Sequence, residues 1–165
     1  MRQLRVAMAS LFILAAASGT GSLALAQVPS ELRGAWIVSS WTPPDGESVS
    51  DPQRGLFIFT HGGNYSIMFV NGGEERAQYE GEEGPTDAEK VAAYDSFTAN
   101  SGRYRVSGST ITYEAYMAKN PNYMADFGME AANGVELEFS IAEGTLTLTW
   151  PNGFGATLRR PRGTN

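Results

Sequence analysis

The 165-residue chain contains no cysteine and a single histidine. Without cysteine it has no disulfide bond, no thiolate nucleophile, and no Cys ligand for zinc or for attached haem. The lone histidine, His61, precedes two glycines and is interpreted as a polar turn residue. No Gly-x-Ser-x-Gly turn accompanies it, so a hydrolase triad is not predicted. Neither a metal site nor a cofactor is predicted, and stability is expected to come from packing.

Positive charge is also scarce. The chain has 12 Lys and Arg against 18 Asp and Glu, which gives a formal net charge of −6. Protein binding to nucleic acids depends on neutralising phosphates, and an acidic domain lacks that attraction. We therefore expect no nucleic-acid partner. The acidic residues between positions 74 and 83 do not have the spacing of an EF-hand and are interpreted as a solvated loop.

Long apolar runs are absent outside the first 26 residues. Residues 1–26 have a basic start with Arg2 and Arg5, an apolar run, and a small-residue end at Ala24-Leu25-Ala26. This is the layout of a secretory signal peptide, and cleavage is predicted before Gln27. An anchor is the alternative, but the apolar run is shorter than the roughly 20 residues that span a bilayer. The mature domain, 27–165, is expected to be periplasmic or secreted, without stable membrane insertion.

Alternating apolar and polar residues dominate the mature chain and predict an antiparallel β-protein. A capping box at Thr86 and Glu89 predicts one short helix that ends near Phe97. Residues 116–133 have no clear period and are predicted to form a long loop. The predicted strands cover residues 33–41, 55–60, 65–70, 103–106, 110–117, 135–141, 145–150 and 156–160.

Two predicted hairpins place their apolar residues on one face. A turn at Gly108-Ser109 puts Tyr104 opposite Tyr113 and Arg103 opposite Glu114. A turn at Glu143-Gly144 puts Phe139 opposite Leu148, and the register of the last strand stays open. A sheet with one apolar face must hide it, either by closing into a barrel or by folding over as a sandwich.

The order of several short motifs is similar to that of the bacterial and fungal lipocalin-like domain family. The resemblance spans residues 32–160, and it implies a calycin-type, all-β, eight-stranded antiparallel barrel with an apolar interior and one helical insert. It also implies that an arginine on the last strand, Arg159 or Arg160, covers Trp36 of a Gly34-Ala35-Trp36 motif. The motifs are residues 32–39, residues 55–66, Ser101-Gly102-Arg103-Tyr104, Asn120-Pro121-Asn122-Tyr123 and residues 144–148.

A barrel of eight strands has an interior that is either packed or just wide enough for one small molecule. We predict binding of a small apolar or amphipathic ligand. One alternative is a cyclase or isomerase, which a buried carboxylate beside Tyr104 or Tyr113 would favour. The other is a packed interaction module, which an exposed apolar strip at Phe57 and Phe59 would favour. The predicted ligand-binding residues are Tyr104, Tyr113, Met117, Tyr123, Phe139 and Leu148.

Overall fold

A computed structural model of the protein describes residues 28–50, 53–71, 75–81, 84–124 and 134–162. The predicted signal peptide and residues 125–133 of the predicted long loop lie outside these ranges. The described residues form nine strands, one α-helix and one 3-10 helix. The strands are β1 (Gly34–Thr42), β2 (Val49–Ser50), β3 (Leu56–Phe59), β4 (Asn64–Val70), β5 (Phe97–Ser107), β6 (Thr110–Ala118), β7 (Val135–Ala142), β8 (Thr145–Thr149) and β9 (Gly155–Arg159).

Eight of these strands close into an antiparallel barrel. Each of β3 to β8 pairs with the next strand along the chain, and β1 pairs with both β3 and β9. The closure confirms the predicted barrel and excludes the sandwich. The short strand β2, which was not predicted, pairs with the later part of β1 at Ser40 and Trp41.

The two hairpins have the predicted registers. Tyr104 pairs with Tyr113 and Arg103 with Glu114 in the first, and Phe139 pairs with Leu148 in the second. The register of the last strand, left open by the sequence, places Leu158 opposite Leu146. Turn chemistry and alternation together were sufficient to predict the pairs in the two hairpins.

The helical segments are short. Helix α1 (Asp87–Asp95) begins at Thr86 with the predicted capping box, in which Glu89 bonds back to the Thr86 backbone. It ends two residues before the predicted end, since Phe97 already belongs to β5. The 3-10 helix covers Pro121–Tyr123. No helix in the described ranges is long and apolar enough to cross a membrane.

Strand β5 begins six residues earlier than predicted and carries a bulge against β6. Ser101 pairs with Met117 but Gly102 pairs with Ala115, so one residue of β6 has no counterpart. A side chain at position 102 would collide with the carbonyl oxygen of Glu114. Glycine is therefore required for β5 and β6 to approach each other at this point.

One end of the barrel is sealed by tryptophan and arginine. Trp36 is 1% exposed, and its Nε1 donates a hydrogen bond to the Leu32 carbonyl at 2.7 Å. The Arg160 guanidinium lies 3.7 Å from the centre of the Trp36 ring and donates to the carbonyls of Glu31 and Ala35. Gly34 has φ +103°, and a Cβ there would be 2.9 Å from Arg160 Nη1. This end is a packed plug.

Candidate functional site

The other end of the barrel contains a cavity of about 520 Å³. It lies where β4, β6 and β8 end and where β5, β7 and β9 begin, which is the end remote from Trp36. The volume is within the range of small-molecule sites. The lining residues are Ile67, Phe69, Thr98, Ala99, Asn100, Tyr113, Ala115, Ala118, Lys119, Asn120, Tyr123, Val135, Trp150, Pro151, Asn152 and Phe154.

Five aromatic side chains form what we call the aromatic wall of the cavity: Phe69, Tyr113, Tyr123, Trp150 and Phe154. The rings of Trp150 and Phe154 meet edge to face, with centres 5.5 Å apart. Behind the wall, the buried Trp41 packs against Phe69 at 4.4 Å and against Phe154 at 5.4 Å. The wall is thus supported from the barrel interior.

Two polar side chains of the cavity retain hydrogen-bonding capacity. The Trp150 Nε1 donates to the Tyr113 hydroxyl at 3.3 Å, and that hydroxyl still has its own proton to donate. Asn100 pairs with Ile67 across β4 and β5 and therefore shares its inward face. The Asn100 Oδ1 atom is buried and has no partner among the described residues. A buried polar atom without a partner costs about 1 to 3 kcal/mol, so a bound molecule would gain by pairing with it.

Burial keeps the inner phenols neutral. It raises the pKa of Tyr113, against the smaller lowering effect of the hydrogen bond from Trp150, and the nearby Tyr123 phenol raises it slightly more. The Tyr65 ring lies 5.1 Å from Tyr113, and burial likewise raises the pKa of its phenol. Both shifts favour the protonated phenol, and the Tyr65 hydroxyl has no partner among the described residues.

The positive charge of Lys119 is held away from the cavity, although its side chain contributes to the lining. Its Nζ donates to the Phe97 carbonyl at 2.7 Å and lies 4.1 Å from the centre of the Tyr94 ring. Tyr94 and Phe97 border a groove on the outer surface of the barrel and are not lining residues of the cavity. The described lining contains no other charged side chain.

The predicted ligand-binding residues are divided between the cavity and other places. Tyr113 and Tyr123 line the cavity. Tyr104 donates to the Thr60 carbonyl at 2.8 Å and packs against Phe59, outside the cavity lining. Leu148 is fully buried in the core and Phe139 packs against that core. Met117 is 64% exposed, beside the outer groove.

The predicted structural residues also separate. Gly34 and Trp36 lie in the packed plug, and of the two candidate arginines it is Arg160 that covers the tryptophan. Arg159 is exposed and pairs with Thr145 and Ile37 through the backbone. The position just after β9, rather than its last residue, therefore supplies the guanidinium.

Sequence reasoning missed four important lining residues: Phe69, Asn100, Trp150 and Phe154. Residues 98–102 are weak strand formers and were not assigned to a strand, so the inward face of Asn100 was not recognised. Trp150 and Phe154 flank the turn at Pro151-Asn152-Gly153, which was identified. Their position on either side of a turn at a barrel end was the sequence signal by which these two aromatic residues could have been found.

The enzyme alternative would be favoured by a buried carboxylate beside Tyr104 or Tyr113. Glu114 is buried, but it accepts hydrogen bonds from Arg103 Nε at 2.7 Å and Arg105 Nη2 at 2.8 Å instead of lining the cavity. The hydrogen bond from Arg103 lowers the pKa of this carboxyl, against the opposing effect of burial. Among the described lining residues there is no carboxylate to act as an acid or a base.

The interaction-module alternative would be favoured by an exposed apolar strip at Phe57 and Phe59. Phe57 is fully buried and Phe59 is 3% exposed, because both point into the barrel. These two positions therefore do not form the exposed apolar strip that would favour an interaction module. The alternating residues Leu56 and Ile58 are half-buried.

Comparison with known proteins gives a likeness in structure only. No family model matches the sequence, and no curated protein matches it. One similar solved structure is a lipocalin-like protein from Bacteroides uniformis, with 16% identity over 79% of this chain and 99% of the other and a TM-score of 0.48. Another is an uncharacterised protein from Bacteroides eggerthii, with 13% identity over the same shares and a TM-score of 0.47. The strand order and the closure of β1 on β9 are those of a lipocalin-like barrel, which is the fold of this chain.

Proposed function

We propose that this protein is an exported carrier that binds one small, mainly apolar molecule in the open end of its barrel. The fold itself suggests ligand binding, and the observation that carries the proposal is the cavity of about 520 Å³ beside the aromatic wall. A lumen filled by its own side chains would leave no such space. The buried, unpartnered Asn100 Oδ1 gives the cavity a polar point that would orient the bound molecule.

Binding is tested with two neutral apolar probes, N-phenyl-1-naphthylamine and 1-dodecanol, on the protein starting at Gln27. At least one probe is expected to bind saturably with one molecule per chain, seen by native mass spectrometry, and to raise the melting temperature. A ligand that binds only the folded state stabilises it by about 2.7 kcal/mol when present at 100 times its Kd. Absence of saturable binding by both probes would contradict the proposal.

Export is supported by the basic start, apolar run and small-residue end of residues 1–26. The full chain is expressed in a bacterial host, which is then fractionated. We expect the protein outside the cytoplasm. Its intact mass is expected to be that of a chain that begins at Gln27 and therefore lacks Arg2 and Arg5. Full-length protein in the cytoplasm would refute this part of the proposal. A Leu14→Arg variant, which interrupts the apolar run, serves as the control and is expected to stay inside.

A further inference from the structure

The aromatic wall selects for shape. Its rings lie at different angles to one another, with 70° between the Trp150 and Phe154 rings. Aromatic rings attract one another most in edge-to-face and offset arrangements, which only another π-system exploits fully. A saturated chain would gain buried area from the same wall but none of this directional attraction. The wall therefore favours a flat, conjugated ring system over a flexible alkyl chain.

The polar groups select for a hydroxyl. Tyr113 accepts a hydrogen bond from Trp150 and has a proton left to donate, so it needs an acceptor on the ligand. Asn100 has an acceptor oxygen without a partner among the described residues, so it needs a donor. A hydroxyl group is the smallest group that both donates and accepts. A ligand hydroxyl would therefore complete the hydrogen bonding of either Tyr113 or Asn100.

The charges select for a neutral molecule. Transfer of an ionised group into an apolar cavity is strongly unfavourable unless an opposite charge pairs with it. The ammonium group of Lys119 is turned to the Phe97 carbonyl and the Tyr94 ring, and no carboxylate is present in the described lining. Among the described lining residues, neither a carboxylate nor an ammonium group on a ligand would find an available counter-charge.

From these three features we infer that the ligand is a neutral, flat aromatic or conjugated molecule that carries a hydroxyl group. The inference rests on the proposed ligand binding and specifies its chemical class. Aromatic contact is made by the wall residues Phe69, Trp150 and Phe154, and the hydroxyl is placed at Tyr113 or Asn100. Long-chain aliphatic molecules are correspondingly disfavoured.

Three probes with the same fused two-ring carbon skeleton test this inference: 2-naphthol, 2-methylnaphthalene and decahydro-2-naphthol. The second replaces the hydroxyl by a methyl group, and the third keeps the hydroxyl but removes the π-system. Dissociation constants are measured by ligand-observed NMR titration. We expect 2-naphthol to bind at least tenfold more tightly than either of the others. In a Tyr113→Phe, Asn100→Leu double variant, the advantage over 2-methylnaphthalene is expected to fall below threefold.

A Tyr104→Phe variant is the matched control, because this buried tyrosine does not line the cavity. It should retain the full preference for 2-naphthol. If 2-methylnaphthalene or decahydro-2-naphthol binds as well as 2-naphthol, the assigned ligand class is wrong, while cavity binding itself stands. If none of the three binds and N-phenyl-1-naphthylamine and 1-dodecanol also fail, both this inference and the proposed function are overturned.

Discussion

Replacing Trp36 with alanine is expected to lower the free energy of unfolding by about 3 to 5 kcal/mol, the usual cost of removing a large buried aromatic side chain. The Trp36 ring is 1% exposed, its Nε1 bonds to the Leu32 carbonyl, and the Arg160 guanidinium covers one of its faces. Alanine would remove all three contributions and leave Arg160 above a void. Urea unfolding followed by far-UV circular dichroism measures the change.

A Trp36→Phe variant separates the ring from its hydrogen bond. It keeps an aromatic face for Arg160 but removes the donor to Leu32, and its loss is expected to be about half that of the alanine variant. Tyr123→Ala is the comparison variant. Tyr123 is an aromatic residue at the opposite end of the barrel, where it is 51% exposed at the cavity. Its loss should stay below about 1 kcal/mol. If Trp36→Ala lowers the free energy of unfolding by no more than Tyr123→Ala does, the plug does not make the expected contribution to stability.

Filling the cavity from Ala115 is expected to weaken probe binding by at least tenfold while preserving the barrel. Ala115 is 3% exposed, lines the cavity, and lies two residues from Tyr113 on the same face of β6. Three single variants, with valine, leucine or phenylalanine at this position, add increasing side-chain volume to the cavity. The Kd of N-phenyl-1-naphthylamine, or of 1-dodecanol if only that probe binds, should rise with each step, to at least tenfold for Ala115→Phe. Fluorescence titration measures this for the first probe and native mass spectrometry for the second.

The melting temperatures of the Ala115 variants show whether the larger side chains fill the cavity or disrupt the barrel. Extra volume in a packed core costs about 1 to 3 kcal/mol, whereas the same volume in an empty cavity adds apolar burial without displacing neighbours. The melting temperatures of the valine and leucine variants should therefore stay close to that of the parent protein. Ala142→Phe, at an exposed position on β7, is the control and should bind the probe normally. Unchanged probe affinity in Ala115→Phe would place the binding site elsewhere.

The hairpins were predictable because their determinants are local. A glycine in the turn and alternation in the flanking strands define both the partners and the face, as with Tyr104 and Tyr113. The early part of β5 was not predictable, since residues 98–102 have little strand preference of their own. They are extended because β4 and β6 offer backbone partners on both sides, which is a tertiary effect.

The candidate site was predicted only in part for a related reason. Alternation shows that Tyr104 and Tyr113 both point inward, but it does not show that Tyr113 lines the cavity while Tyr104 packs outside it. Depth in a barrel depends on how strands are staggered around the whole closure. The same holds for Phe69 on β4 and Phe154 just before β9, which both contact Trp41 and are brought together only when β1 pairs with β9.

The pairing of β1 with β9 has a consequence for the order of events during synthesis. Residues 37–42 of the first strand find their partners at 155–159, and Trp36 is covered by Arg160. A nascent chain therefore cannot complete the barrel until residues 155–160 have left the ribosome. Proteins dominated by such distant pairings fold slowly, in milliseconds to seconds. The barrel therefore has an unpaired β1 edge throughout the synthesis of the residues between β1 and β9.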